Sequence, residues 1–226
     1  MQVPGDPTAP APAPRQPATR PDGLRSRLRI IEVAIEELAD HGYPGMSLQV
    51  VANRMELRKS SLFYHFKDKR DLATTAFLAV TEDMAGLLSA LDGPAPPHMD
   101  QLRELISTCV AYTRDNRARA RLGMRLFVDR TSAIRNVQPD DRDDPLVRSF
   151  LSLAGWLGRA REAGVIRAVD VGNAMMQIFS ALLFYPAVAD DVGPNLLGDD
   201  PWSPEALERW HQELTVFVCG ALKPEA

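Results

Sequence analysis

Cysteine is nearly missing from this chain: two among 226 residues, Cys109 and Cys219. That excludes a disulfide framework and a thiolate metal site. Both sit in apolar runs, where a free cysteine packs as a small hydrophobe, and the pattern fits a reducing, cytoplasmic setting. Histidine is scarce as well. His41, His65, His98 and His211 stand apart from one another, and the chain contains no HExxH, no GxSxG and no glycine-rich phosphate loop. No catalytic residue, metal ligand or cofactor is therefore expected. The acidic stretch "QPDDRDDP" at 138–145 lacks the spacing of a calcium-binding loop and reads as a solvated linker. No run approaches the roughly 18 apolar residues of a membrane span, so no membrane partner is expected. Residues 1–23 are dense in proline and have no apolar core segment, which argues against a signal peptide and for a disordered Pro/Ala-rich tail. An excess of positive charge is missing too: the net charge is -4.

Charge is unevenly distributed, however. Residues 24–72 hold nine Lys/Arg against seven Asp/Glu, while residues 73–226 hold fifteen against twenty-one. The basic character concentrates in Arg58–Leu72, "RKSSLFYHFKDKRDL", which packs five cations and three aromatic residues into fifteen positions. Phosphate binding depends on cations near the backbone rather than on the overall isoelectric point. Charge alone favours the reading of an ordinary solvated face.

The hydrophobic periodicity is helical throughout. Leu24, Leu28, Ile31, Ala34, Ile35 and Leu38 recur at three- and four-residue steps. His41-Gly42 closes this first helix. Ser47 is placed to cap a short second helix ending near Arg54, a third covers about 58–65, and Asp68 caps a fourth reaching about 91. Five more follow, at about 99–115, 117–130, 146–163, 170–188 and 204–222. No strand-like alternation of useful length occurs. The expected fold class is all-α, about nine helices, with a small three-helix head at 24–72 and a larger helical body at 73–226.

Within "SLQVVANRMELRKSSLFYHF" at 47–66, two short helices are joined by a tight turn. Leu48, Val51, Met55, Leu57 and Leu62 are spaced to pack them together, and Ala52 is small where they must approach. That is the layout of a helix-turn-helix, whose second helix enters the major groove of DNA. Here that helix presents Arg58, Lys59, Ser60, Ser61, Tyr64 and His65. Arginine bonds guanine bidentately, and serine and lysine bond base edges or phosphates. Phe63 or Phe66 is expected to pack beneath.

These residues also resemble the TetR family of bacterial transcription regulators, over about 24–72. The likeness rests on Gly42-Tyr43 at the end of the first helix, "SLxxVA" at 47–52 and "KSSLFYHFKDKRDL" at 59–72. It implies DNA contacts from Lys59, Ser60, Ser61, Tyr64 and His65, and phosphate contacts from Ser47, Gln49 and Lys69. Three positions depart from the family pattern. Glu56 stands where glycine is common in the turn, Phe63 replaces a usual tyrosine, and Arg58 replaces a capping serine or threonine. A left-handed backbone at Glu56 would cost on the order of 1 kcal/mol.

For the body the resemblance implies ligand binding and dimerisation. Tyr112, Met124, Phe127, Trp156, Met175 and Phe179 are the candidate lining of an apolar ligand pocket. The last two predicted helices carry enough apolar surface to form a four-helix bundle with a second copy. The reading that follows is a cytoplasmic homodimer that binds double-stranded DNA at a palindromic operator, represses transcription and is released by a small, mostly apolar ligand. The alternative is a helical small-molecule-binding protein that does not bind DNA.

Overall fold

The computed structural model describes residues 20–128, 142–196 and 200–224. The proline-rich tail through residue 19 and residues 138–141 of the acidic linker lie outside the described residues. Helices account for nearly all of the rest, and no strand occurs among the described residues. In chain order they are α1 (Arg20–Gly45), α2 (Leu48–Arg54), α3 (Lys59–Leu62), α4 (Lys69–Leu88), α5 (Met99–Asp115), α6 (Arg117–Val128), α7 (Pro145–Glu162), α8 (Val171–Leu196) and α9 (Pro204–Leu222).

Helix α1 begins before the expected start and runs past Gly42, but not smoothly. Gly42 has φ 64° and ψ 177°, a kink that merges two helical segments, so glycine bends the helix rather than ending it. Its stripe Ile30, Ile31, Ala34, Ile35 and Leu38 is buried. Ser47 caps α2 by accepting a hydrogen bond from the Val50 amide. The third helix is shorter than its predicted span: one regular turn, followed by irregular turns through Phe66 held by 3-10-type bonds such as His65 N–H to the Leu62 carbonyl at 2.9 Å. Arg58 provides no side-chain cap there.

Asp68 caps α4 through the Asp71 amide at 2.8 Å. This helix is buried at Leu72, Phe77, Val80, Met84 and Leu88, and closes in a 3-10 turn at Ser89–Leu91. It packs on α1, α6 and α7. His98 and Gln101 form a capping box at the start of α5.

Helix α8 outruns its predicted end near 188 and reaches Leu196. A satellite cluster accounts for the extension. Tyr185 stacks on Trp210 with ring centroids 4.2 Å apart and donates its hydroxyl to the Pro201 carbonyl at 2.6 Å. Trp202 bonds Asp190 through its indole N–H at 2.5 Å. By length and composition the segment Val171–Gly193 would also suffice to cross a membrane, contrary to the expectation from apolar run length. Instead one of its faces packs on α6 and α7.

One core runs through head and body. Ile30, Leu38 and Leu72 belong to the same buried cluster as Phe77, Leu122 and Trp156. Three arginines of α6 strengthen the join. Arg119 bridges Glu32 of α1 and Asp83 of α4, both at 2.5 Å. Arg121 bridges Asp40 and Asp190. Arg125 donates to the carbonyls of Ala39 and Asp40, beside the kink in α1.

Candidate nucleic-acid interface and the cavity behind it

The helix-turn-helix is held from beneath. Val51, Ala52, Leu62 and Phe66 are buried, with Leu48, Met55 and Leu57 packed against them. Of the two phenylalanines only Phe66 lies inside; Phe63 is 48% exposed. The difference follows from the irregular turn after Leu62, which swings Phe63 outward. The Arg27 guanidinium stacks over the Phe66 ring, 4.8 Å from its centroid. Glu37, buried within the apolar stripe of α1, accepts the Ser47 amide at 3.1 Å and so ties α1 to the start of α2. Sequence reasoning missed this residue, although an acid between Ile35 and Leu38 was a visible signal.

Glu56, in the turn between α2 and α3, has φ 56°, the only positive φ outside glycine among the described residues. This is the left-handed position at which a β-carbon is penalised.

The motif leaves a largely polar surface outward. Arg58, Lys59, Ser60 and Gln49 are exposed, Tyr64 is 87% exposed, and Ser61 and His65 are half-buried. Tyr64 meets His65 edge-on at 5.2 Å. Gln49 donates to Asn53 at 2.8 Å, one turn along the exposed face of α2. Ser47 is partly spent on its capping bond. Lys69 is also engaged within the molecule: its ammonium donates to the Pro44 carbonyl at 3.2 Å and lies 4.9 Å above the Tyr43 ring. One of its three donors is thereby used, and it clamps the start of α4 to the end of α1.

The surface is thus a short polar and basic helix raised on an apolar base. The family model described as "Bacterial regulatory proteins, tetR family" matches residues 30–76, which contain the whole motif. The chain carries the DNA-binding domain of the TetR family. It is a DNA-binding transcription regulator, and its family and fold are those of regulators rather than enzymes. Solved structures agree on the fold. A Clostridium perfringens protein described as a fatty acid metabolism regulator superposes with a TM-score of 0.67 at 19% identity, covering 86% of this chain and 98% of that one. The TetR family transcriptional regulator PfmR from Thermus thermophilus gives 0.59 at 23% identity, covering 84% and 97%. FadR from Bacillus subtilis, in complex with stearoyl-CoA, gives 0.62 at 15% identity, covering 86% and 98%. No curated protein sequence matches the chain.

The body of the chain disperses the six candidate ligand residues. Tyr112 and Phe179 line one apolar cavity between α4, α5, α6 and α8, together with Met84, Cys109, Arg119 and Leu182. It encloses about 50 Å³, far below the roughly 300 Å³ of an ordinary ligand site. Met124 lines a different, surface groove beside Asp40 and Phe184. Trp156 belongs to the core: it is fully buried and donates to Gln101 at 2.9 Å. Met175 packs against the same core. Phe127 is 37% exposed and meets Phe150, which in turn meets Phe179 edge-on at 5.1 Å. Sequence periodicity placed these side chains on apolar faces, but cavities form only where facing helices fail to interdigitate, and no single helix encodes that.

A polar relay lines the cavity's edge. The Tyr112 hydroxyl donates to Asp83 at 2.5 Å, and Arg119 donates to the same carboxylate. Burial and then Asp83 push the Tyr112 hydroxyl above its ordinary pKa, so it stays a donor. Burial works against the Arg119 charge, but hydrogen bonds and charge from Glu32 and Asp83 outweigh it and raise the guanidinium. Burial pushes the Cys109 thiol up to about 12, which leaves it a packing residue rather than a nucleophile. Among the described residues, no group of three or more His, Cys, Asp or Glu is placed to hold a metal ion.

Proposed function

We propose that this regulator works in the bacterial cytoplasm as a homodimeric repressor, with residues 24–72 reading a palindromic operator and residues 73–226 binding an effector and the second subunit. The observation that carries the dimer is the bare apolar face on the last two helices. Met176 and Phe184 on α8, and Val216 and Phe217 on α9, are 55%, 58%, 69% and 66% exposed. Burying such side chains is worth about 25 cal/mol per Å², and pairing α8 and α9 with their two-fold mates covers all four in a four-helix bundle. Two recognition helices about 34 Å apart then match successive major grooves.

Effector release is supported by the cavity at Tyr112 and Phe179, which adjoins the arginine ties from α6 to α1. The Bacillus subtilis neighbour holds stearoyl-CoA, so the fold admits a ligand with a long apolar body. An effector must prefer the conformation in which the heads are displaced, since equal affinity for both shifts nothing. The experiment pairs selection from random duplexes with sedimentation. An enriched palindrome and a dimer at micromolar concentration are expected. Phe217→Arg should give a helical monomer with weakened DNA binding; Phe179 is unsuitable for this test because it is buried against Phe150. Selection that enriches no sequence would favour the alternative of a helical binding protein without a DNA role.

A further inference from the structure

We infer that Arg121 is a positioning residue for DNA binding: by joining Asp190 on α8 to Asp40 on α1, it fixes where each head stands on the dimer and so sets the half-site spacing that the regulator accepts. The assignment rests on the reading of α8 and α9 as the dimer face. It starts from a continuous polar chain between that face and the head. The Trp202 indole donates to Oδ1 of Asp190 at 2.5 Å, and the other carboxylate oxygen accepts from Arg121 at 2.8 Å. The second terminal nitrogen of Arg121 donates to Asp40 at 2.5 Å. Both ends are anchored. Trp202 is buried in the satellite cluster with Ala189 of α8 and Leu207 of α9, so Asp190 is held against both dimer helices. Asp40 lies between the kink at Gly42 and Glu37, whose carboxylate accepts the Ser47 amide at the start of α2. This stretch of α1 therefore carries the helix-turn-helix with it. Phe184, exposed on α8, lines the same groove as Asp40, Arg121 and Asp190, so the join borders the surface on which the second copy packs.

Stability does not account for this join. The side chains of Asp40 and Asp190 are 47% and 46% exposed, and ion pairs so solvated add little. The Nε of Arg121 is buried and meets no acceptor, which counts against stability. An apolar side chain would brace the same place at least as well. What a guanidinium adds is direction, because its planar fork holds two carboxylates at a fixed angle and separation. Arg119 ties α1 to α4 and steadies the head locally, whereas Arg121 refers the head to the dimer face. Direction matters because two heads on one dimer act as linked modules. The second head binds with a high effective concentration only where the geometry fits. One extra base pair moves a half-site by about 3.4 Å and turns it by about 35°.

The test uses the full chain with the palindrome recovered by selection, the same palindrome with one base pair added or removed at its centre, and a single half-site. Wild type should bind its own spacing at least about tenfold more tightly than the altered ones. In Arg121→Met and in Asp40→Ala that ratio should fall to about threefold or less, with affinity for the single half-site and sedimentation as a dimer unchanged. Asp40→Ala removes a solvated carboxylate and so guards against a folding defect in Arg121→Met. Asp40→Glu, which keeps the charge within reach of Arg121, should restore the ratio. Variants that keep the wild-type ratio, or a wild-type dimer indifferent to spacing, would overturn the assignment and leave Arg121 a brace. Equal losses on the single half-site and the palindrome would overturn it too, since the head itself would then be damaged. A wild-type chain that sediments as a monomer would sink the dimer reading and the assignment together, whereas a dimer whose variants show an unchanged ratio sinks the assignment alone.

Discussion

Two basic stretches of this protein look alike on paper and do opposite things. Arg58–Leu72 carries five cations, and α6 carries four arginines within nine residues, at 117, 119, 121 and 125. In α6 every one of them has a partner within the molecule. Arg117 stacks over Trp202, Arg119 and Arg121 each bridge two carboxylates, and Arg125 holds the carbonyls of α1. In the recognition turn Arg58 and Lys59 are exposed, and no ion pair among the described residues ties either one down. A count of charges would nominate both stretches for DNA. What separates them is partner supply: α6 faces acids on α1, α4 and α8, whereas α3 faces water.

The contrast can be broken by substitution, beginning with the largest effect. Arg119→Met leaves Glu32 and Asp83 without their shared partner and should cost about 2 kcal/mol in urea denaturation, discounted from a fully buried pair because both acids are partly solvated. DNA affinity of the folded fraction should keep its salt slope; a reduced slope would mean that Arg119 contacts phosphate after all. Glu56→Gly should stabilise by about 1 kcal/mol by relieving the left-handed residue in the turn, and a thermal melt showing a loss would refute the strain. Arg117→Ala should cost about 0.5–1 kcal/mol for the lost contact with the Trp202 face, readable as a small drop in melting temperature with DNA binding intact. Lys59→Ala should change stability by less than about 0.5 kcal/mol, yet weaken DNA binding and lower the log–log salt slope by up to about one unit. An unchanged slope would remove Lys59 from the phosphate contacts.

The head could be read from sequence to within about four residues because its determinants are local. Ser47 and Asp68 cap through amides three residues on, and Ala52 and Leu62 sit at fixed offsets in a short motif. The choice left open there was made by a turn, not a helix: Phe66 packs beneath and Phe63 faces water. In the body the helices were visible from their apolar period, although the end of α8 was not. Pocket membership was not. Tyr112 and Phe179 line a cavity and Trp156 does not, although all three are large and sit on apolar helix faces.

By itself, then, the sequence determined an all-helical chain with a helix-turn-helix, because capping, periodicity and the residue types of the motif act over a few positions. Tertiary structure alone decided which arginines are spent and which are free, that α8 continues to Leu196, and where the cavity lies. Arg119 meets Glu32 across 87 residues of chain, and Tyr112 meets Asp83 across 29. Contacts of that range exist only after the helices have packed, since burial of apolar faces is non-directional and the final crossing of the helices selects which polar groups come within bonding distance.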